Sequence, residues 1–124
     1  MNIGTIKKYL AVADETLPVY FDFCGCVPTE IISWRGVYAD PAIGWCATGY
    51  SGAGKAPTVK EFIAELEIAT SGKVYTGWKG GDFTYNDHST LHVDNRGEST
   101  NTEIIAVEVG EYDVTIHTRK QEAG

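Results

Sequence analysis

The chain predicts an α+β fold: an antiparallel sheet with one well-defined helix packed on it, residues 58–71, and a C-terminal β-hairpin. Three observations carry this reading. Apolar residues alternate with polar ones in several short runs, most clearly between Ile105 and Ile116. The stretch 58–71 instead places them at helical spacing behind a capping signal. The 14 glycines divide the runs into short elements. A length of 124 residues with 43% hydrophobic content fits a single domain, 1–124, able to fold without staples.

The first element is a short helix in TIKKYLAVADE, with Thr5 as its cap and Ile6, Tyr9, Leu10 and Ala13 on one side. Leu17 to Phe23 reads as a strand, with Val19, Phe21 and Phe23 alternating against Tyr20 and Asp22. Ile31 to Tyr38 and Ile43 to Thr48 are two more strands, joined through a turn at Asp40-Pro41. The segment 51–57 is a loop by composition. In the main helix, Thr58 and Glu61 make a capping box, Val59, Phe62, Ile63 and Leu66 form the buried stripe, and Gly72 is the stop. Short strands follow around 74–78, 82–85 and 90–94. In the last hairpin, Ile105, Val107 and Val109 share a face, Gly110-Glu111 make a two-residue turn, and Tyr112, Val114 and Ile116 share a face on the return. The tail, 120–124, reads as frayed.

The formal charge is −7, from 17 acidic residues against 10 Lys and Arg. Long nucleic acid is a poor partner for such a surface, since its affinity comes from many cationic phosphate contacts. A small anion needs only one or two local cations and some backbone N–H groups. Three arginines are present: Arg35, Arg96 and Arg119. No apolar run approaches the roughly 20 residues of a membrane span. The three cysteines, Cys24, Cys26 and Cys46, make an odd count, and a reduced, cytosolic protein is the simple reading.

Several motifs bear on chemistry, each with a plainer structural account beside it. GYSGAGK at 49–55 matches a phosphate loop, but Ala56 and Pro57 replace the hydroxyl and delay the helix, so a connector explains it better. Cys24 and Cys26 with His88 and His92 have atypical zinc spacing, and no metal is assigned. His92 and Asp94, on one strand face, form a base with an orienting partner or a surface polar pair. No nucleophile signature accompanies them, and no catalytic residue is assigned.

The segment 74–99 is richer. It holds Tyr75, Trp78, Phe83 and Tyr85 among Gly77, Gly80, Gly81 and Gly97, a mixture that suits a surface clamping a flat, polar, partly charged molecule. In WKGGDF, Gly80 and Gly81 let backbone N–H groups approach a pyrophosphate, Lys79 offers a cation and Phe83 a stacking face. The alternative is a hairpin turn with Phe83 buried. Asp94-Asn95-Arg96-Gly97-Glu98 offers groups for ribose, an adenine edge and phosphate, or is a plain turn. Ser33-Trp34-Arg35-Gly36 pairs a ring with a guanidinium fork, or is core and solvated strand.

On SWRGVYADPAIGW at 33–45, TVKEFIAELE at 58–67, GWKGGDF at 77–83 and HVDNRGES at 92–99, the chain resembles the phage type 1 Thoeris anti-defence family. The resemblance spans roughly residues 18 to 109. It implies a sponge that sequesters cyclic ADP-ribose signals made by bacterial TIR enzymes, with no cofactor and no turnover. It further implies a homo-oligomer, a dimer or an assembly of dimers, with the ligand between two subunits, in the cytoplasm of a host bacterium. By similarity Phe83 stacks the adenine and Asn95 hydrogen-bonds the ligand. Chemistry adds Arg35, Trp78, Thr84 and Arg96 to that site. Some members bind cyclic oligonucleotides at separate sites, and Arg119 is the residue here for a second, phosphate-rich site. Two other classes stay open: an enzyme degrading a cyclic nucleotide signal, and a small phage protein-interaction module.

Overall fold

Asn2, not Thr5, starts the first helix. Its backbone is extended and its side chain accepts the Thr5 N–H at 2.8 Å, which sets helix α1 at Ile3–Ala11. The computed structural model describes residues 1–23, 25–33, 40–47, 55–77, 80–94 and 101–121. In α1, Ile3, Ile6 and Leu10 are buried, while Tyr9, expected on that side, is exposed. The chain continues through β1 (Val19–Phe21), β2 (Cys26–Ser33), β3 (Pro41–Ala47), α2 (Val59–Ala69), β4 (Tyr75–Thr76), β5 (Asp82–Phe83), β6 (His92–Val93), β7 (Asn101–Val109) and β8 (Val114–Gln121).

The α2 capping box forms as the sequence predicts. Thr58 accepts the Glu61 N–H at 3.1 Å, and Glu61 returns a 3.1 Å bond from the Thr58 N–H. Val59, Phe62, Leu66 and Ala69 are buried, and Ile63 is half-buried. The helix ends at Ala69, two residues short of the expected 71. There the Thr70 hydroxyl bonds back to the Leu66 carbonyl at 3.0 Å, and Gly72 turns the chain at φ 95°. Both expected helices form, and α1 joins α2 against the core, where α2 alone was expected to pack on the sheet.

Thr58→Ala should cost about 1 kcal/mol, measured by urea unfolding. The Thr58 backbone and hydroxyl bonds hold the Glu61 carboxyl below its ordinary value of 4.5. A depressed carboxylate stabilises the fold above its unfolded pKa and loses that contribution as pH falls through its folded pKa. Stability should therefore drop as the pH is lowered below 4.5, and drop less in Thr58→Ala.

The six-stranded sheet has the order β1-β8-β7-β6-β3-β2. The expected all-antiparallel sheet is in fact mixed: β1 runs parallel to β8 and β3 parallel to β6. Partners so distant in sequence leave no trace in local alternation. Strand β2 begins at Cys26, five residues before the expected Ile31, and a bulge separates Pro28 from Ile31. Pro28 fits because β2 is an edge strand. The remainder of the expected 31–38 strand lies outside the described residues.

The C-terminal hairpin is present, with one change of face. A bulge between Ile104 and Ala106 inserts a residue, so Ile104 and Val107 are buried and Ile105 is exposed. The connection is Gly110–Asp113, closed by the Gly110 N–H to the Asp113 carbonyl at 2.9 Å, rather than Gly110-Glu111 alone. Tyr112 sits on that turn at 80% exposure and does not join Val114 and Ile116 in the core.

One apolar cluster unites Ile3, Ile6 and Leu10 of α1 and Val59, Phe62 and Leu66 of α2 with Val19, Ile43, Val93, Val114 and Ile116 of the sheet. Each such side chain contributes roughly 1.5–3 kcal/mol of burial. Cys26 is disulfide-bonded, which corrects the fully reduced reading: an odd count excludes complete pairing, not a single bond. Cys46 is a free thiol. Among the described residues, no helix is long and apolar enough to cross a membrane.

Candidate functional site

Strands β4 and β5 form a two-stranded sheet of their own, pairing Tyr75 with Phe83 and Thr76 with Asp82. Gly77 N–H donates to the Gly81 carbonyl at 3.0 Å, and Gly80 N–H to the Gly77 carbonyl at 2.9 Å. Gly80 and Gly81 take φ of 92° and 89°, a conformation that excludes side chains from both positions without strain. A Cβ on Gly81 would sit 3.5 Å from Phe83 Cε2, so the ring edge lies beside the glycine backbone.

Phe83 is half-buried. It packs partly against the core, which matches neither a fully displayed ring nor the buried alternative. Thr84, beside it, is exposed. Of the two glycine amides expected to meet a pyrophosphate, that of Gly80 is engaged within the turn.

Beneath the hairpin, the rings of Tyr75 and Tyr85 lie 5.0 Å apart, tilted by 38°. Tyr85 and Ser33, at the end of β2, share a 2.8 Å hydroxyl bond. Burial raises the Tyr85 phenol above its ordinary value, the Ser33 bond works against this, and the Asp40 charge adds to it. Burial also raises Tyr75, assisted by Glu65 and Tyr85. The Tyr75 hydroxyl is buried with no hydrogen-bond partner among the described residues.

His92 pairs with Asp40, Nε2 to Oδ2 at 3.1 Å, rather than with the expected Asp94. The register explains the change. His92 lies opposite Ala42, two residues after Asp40, so it meets the start of β3. The Asp94 backbone instead continues the ladder, donating to Ile43 O at 2.9 Å and accepting from Trp45 Nε1 at 2.8 Å.

Arg119 lies on β8, opposite Glu103 of β7, and forms an ion pair with it, Nε to Oε1 at 2.8 Å. An anion at Arg119 would compete with that carboxylate. Strand β8 pairs with β1 and β7 and not with β2, the strand that ends at Ser33. Arg35, Trp78, Asn95 and Arg96, with Lys79, lie outside the described residues. Among the assigned positions, the structure therefore brings together Phe83 and Thr84 and sets Arg119 apart. The Ser33–Tyr85 and His92–Asp40 pairs each join residues 52 apart, and no short motif signals either of them.

Open clefts lie elsewhere among the described residues. One, of about 340 Å³, runs along α2 and β2 past Pro28, Cys46, Lys55, Glu61 and Glu65. Another, of about 570 Å³, lies between the helices and is lined by Asn2, Lys7, Lys8, Ile63 and Asp87. Neither is lined by Phe83, Thr84 or Arg119. Among the described residues no group of three or more His, Cys, Asp or Glu is arranged to hold a metal ion. Comparison with protein families, curated proteins and solved structures found no match.

Proposed function

We propose that this protein is a non-catalytic sponge that sequesters a cyclic ADP-ribose-type immune signal and so blocks a bacterial anti-phage defence. The observation that carries the reading is Phe83: a half-buried ring whose edge lies beside Gly81, the second of two left-handed glycines, within the segment that resembles the Thoeris anti-defence family. Phe83 stacks the adenine, Asn95 hydrogen-bonds the ligand, and Thr84, Arg35, Arg96 and Trp78 complete the site. The acidic chain supports a ligand that needs few cations. With the Gly80 amide engaged, the pyrophosphate contact falls to Gly81 and the arginines. No cofactor takes part. The working unit is a homo-oligomer with the ligand between subunits, and Arg119 serves a second site for cyclic oligonucleotides once Glu103 releases it. The place of action is the host cytoplasm. The Cys26 disulfide pulls against that compartment, where thiols are kept reduced.

One observation favours a second reading, an enzyme that degrades the signal. The His92–Asp40 pair is a base with its orienting carboxylate. The two readings part on the ligand's fate. A sponge returns cyclic ADP-ribose unchanged in mass after heat denaturation. An enzyme returns an altered mass, and loses that activity in His92→Ala.

A further inference from the structure

We infer that the Ser33–Tyr85 hydroxyl pair is a latch that positions the β4–β5 hairpin, and with it Phe83, against the end of β2. The inference deepens the ligand-binding reading of the hairpin and rests on it for its affinity readout. A two-stranded ribbon two residue pairs long is not stable alone in water, so its orientation is set by what ties it to the body. Tyr75 faces Phe83 directly across the ladder. Tyr85 follows Phe83 by two residues, is 3% exposed, and packs its ring against that of Tyr75. Its hydroxyl reaches the last residue of β2, 52 positions earlier. Ser33 directly precedes Trp34 and Arg35 in sequence, so the bond joins the two chain segments that carry the proposed ring and guanidinium.

The cluster holds its own control. Tyr75 and Tyr85 are neighbouring, similarly buried phenols, yet the Tyr85 hydroxyl has the Ser33 bond and the Tyr75 hydroxyl has no partner among the described residues. Removing an unpaired buried hydroxyl costs little, whereas removing one member of a pair leaves the other unsatisfied. Burial and the Asp40 charge also keep the Tyr85 phenol protonated above the usual tyrosine range, so neutral pH does not break the bond.

The test compares Tyr85→Phe, Ser33→Ala, Ser33→Thr and Tyr75→Phe by two measurements on the whole chain. The first is hydrogen exchange at the Gly77 and Gly80 amides, both bonded inside the hairpin turn, in ligand-free protein. The second is affinity for cyclic ADP-ribose. Tyr85→Phe and Ser33→Ala should speed exchange about fivefold and weaken binding about fivefold to tenfold, the scale of one neutral hydrogen bond. Ser33→Thr, which keeps the hydroxyl, should restore both, and Tyr75→Phe should change neither. Unaltered exchange in Tyr85→Phe, or equal acceleration in Tyr75→Phe, overturns the latch. Faster exchange in Tyr85→Phe, with a wild-type protein that binds no cyclic ADP-ribose, upholds the latch and rejects the ligand. Equal affinity of wild type and Tyr85→Phe overturns the latch's role in binding.

Discussion

On the proposed sponge function, Phe83→Ala should weaken capture of cyclic ADP-ribose by between about 5-fold and 150-fold, the range set by roughly 1–3 kcal/mol for one stacked base. The ring is held, not free: Tyr75 lies opposite it across the ladder, and the core takes part of its surface. Little conformational entropy is then lost when a base settles on it, which favours the upper part of the range. Truncation also removes core contact, so the variant's own unfolding must be measured and the affinity compared well below its midpoint. Phe83→Tyr keeps the stacking face and should bind within a few-fold of wild type. Loss of binding in Phe83→Tyr as complete as in Phe83→Ala would show that shape at the hairpin, not stacking, is what matters. Undiminished binding by Phe83→Ala would remove Phe83 from the site.

The largest effect on stability belongs to Phe62. It is 1% exposed, lies on the buried stripe of α2, and belongs to the cluster that joins both helices to the sheet. Phe62→Ala loses the transfer energy of a whole ring and leaves a cavity within that cluster, a cost of about 3–5 kcal/mol. Domains of this size hold roughly 5–15 kcal/mol in all. The melting temperature should fall by about 10–20 °C, with an unchanged urea m-value if the fold stays two-state. Tyr112→Ala, on the exposed tip of the hairpin, should fall within about 0.5 kcal/mol of wild type. A loss below about 1 kcal/mol in Phe62→Ala would mean that α2 does not dock as described.

The parts of the fold legible in the sequence are those whose causes lie within a few residues of each other. Thr58 and Glu61 are three apart, and Val59, Phe62 and Leu66 repeat along one helix face, so α2 could be placed to within two residues at its end. The β7–β8 hairpin was legible for the same reason. Val107, Val114 and Ile116 are buried as the alternation indicates, but Ile105 yields to Ile104, because the extra residue there reverses parity and no local residue type announces it. The parallel pairings of β1 with β8 and β3 with β6 depend on chain segments tens of residues apart, and local alternation is blind to direction. Asn2 displaced Thr5 as a cap because both residue types suit the role, and only the backbone's extended turn at Asn2 decides between them.

The candidate site divides along the same line. Gly80 and Gly81 read either as a pyrophosphate approach or as a hairpin turn, and the turn forms, with positive φ at both. The polar partners came from tertiary register: Asp40 took His92 from Asp94, Glu103 met Arg119 across the hairpin, and Tyr85 found Ser33. Charge and composition pointed to a small ligand, but no composition says which carboxylate will stand opposite which cation.

The most direct test is thermal unfolding of the purified protein with and without each cyclic ADP-ribose isomer, followed by mass measurement of the nucleotide released on heating. At ligand one hundred times above its dissociation constant, binding to the folded state alone adds about 2.7 kcal/mol, a rise of roughly 10 °C for a domain this long. The account predicts such a rise with at least one isomer, and recovery of that isomer at its original mass. No rise with any isomer, or a rise followed by recovery of a cleaved product, would contradict it.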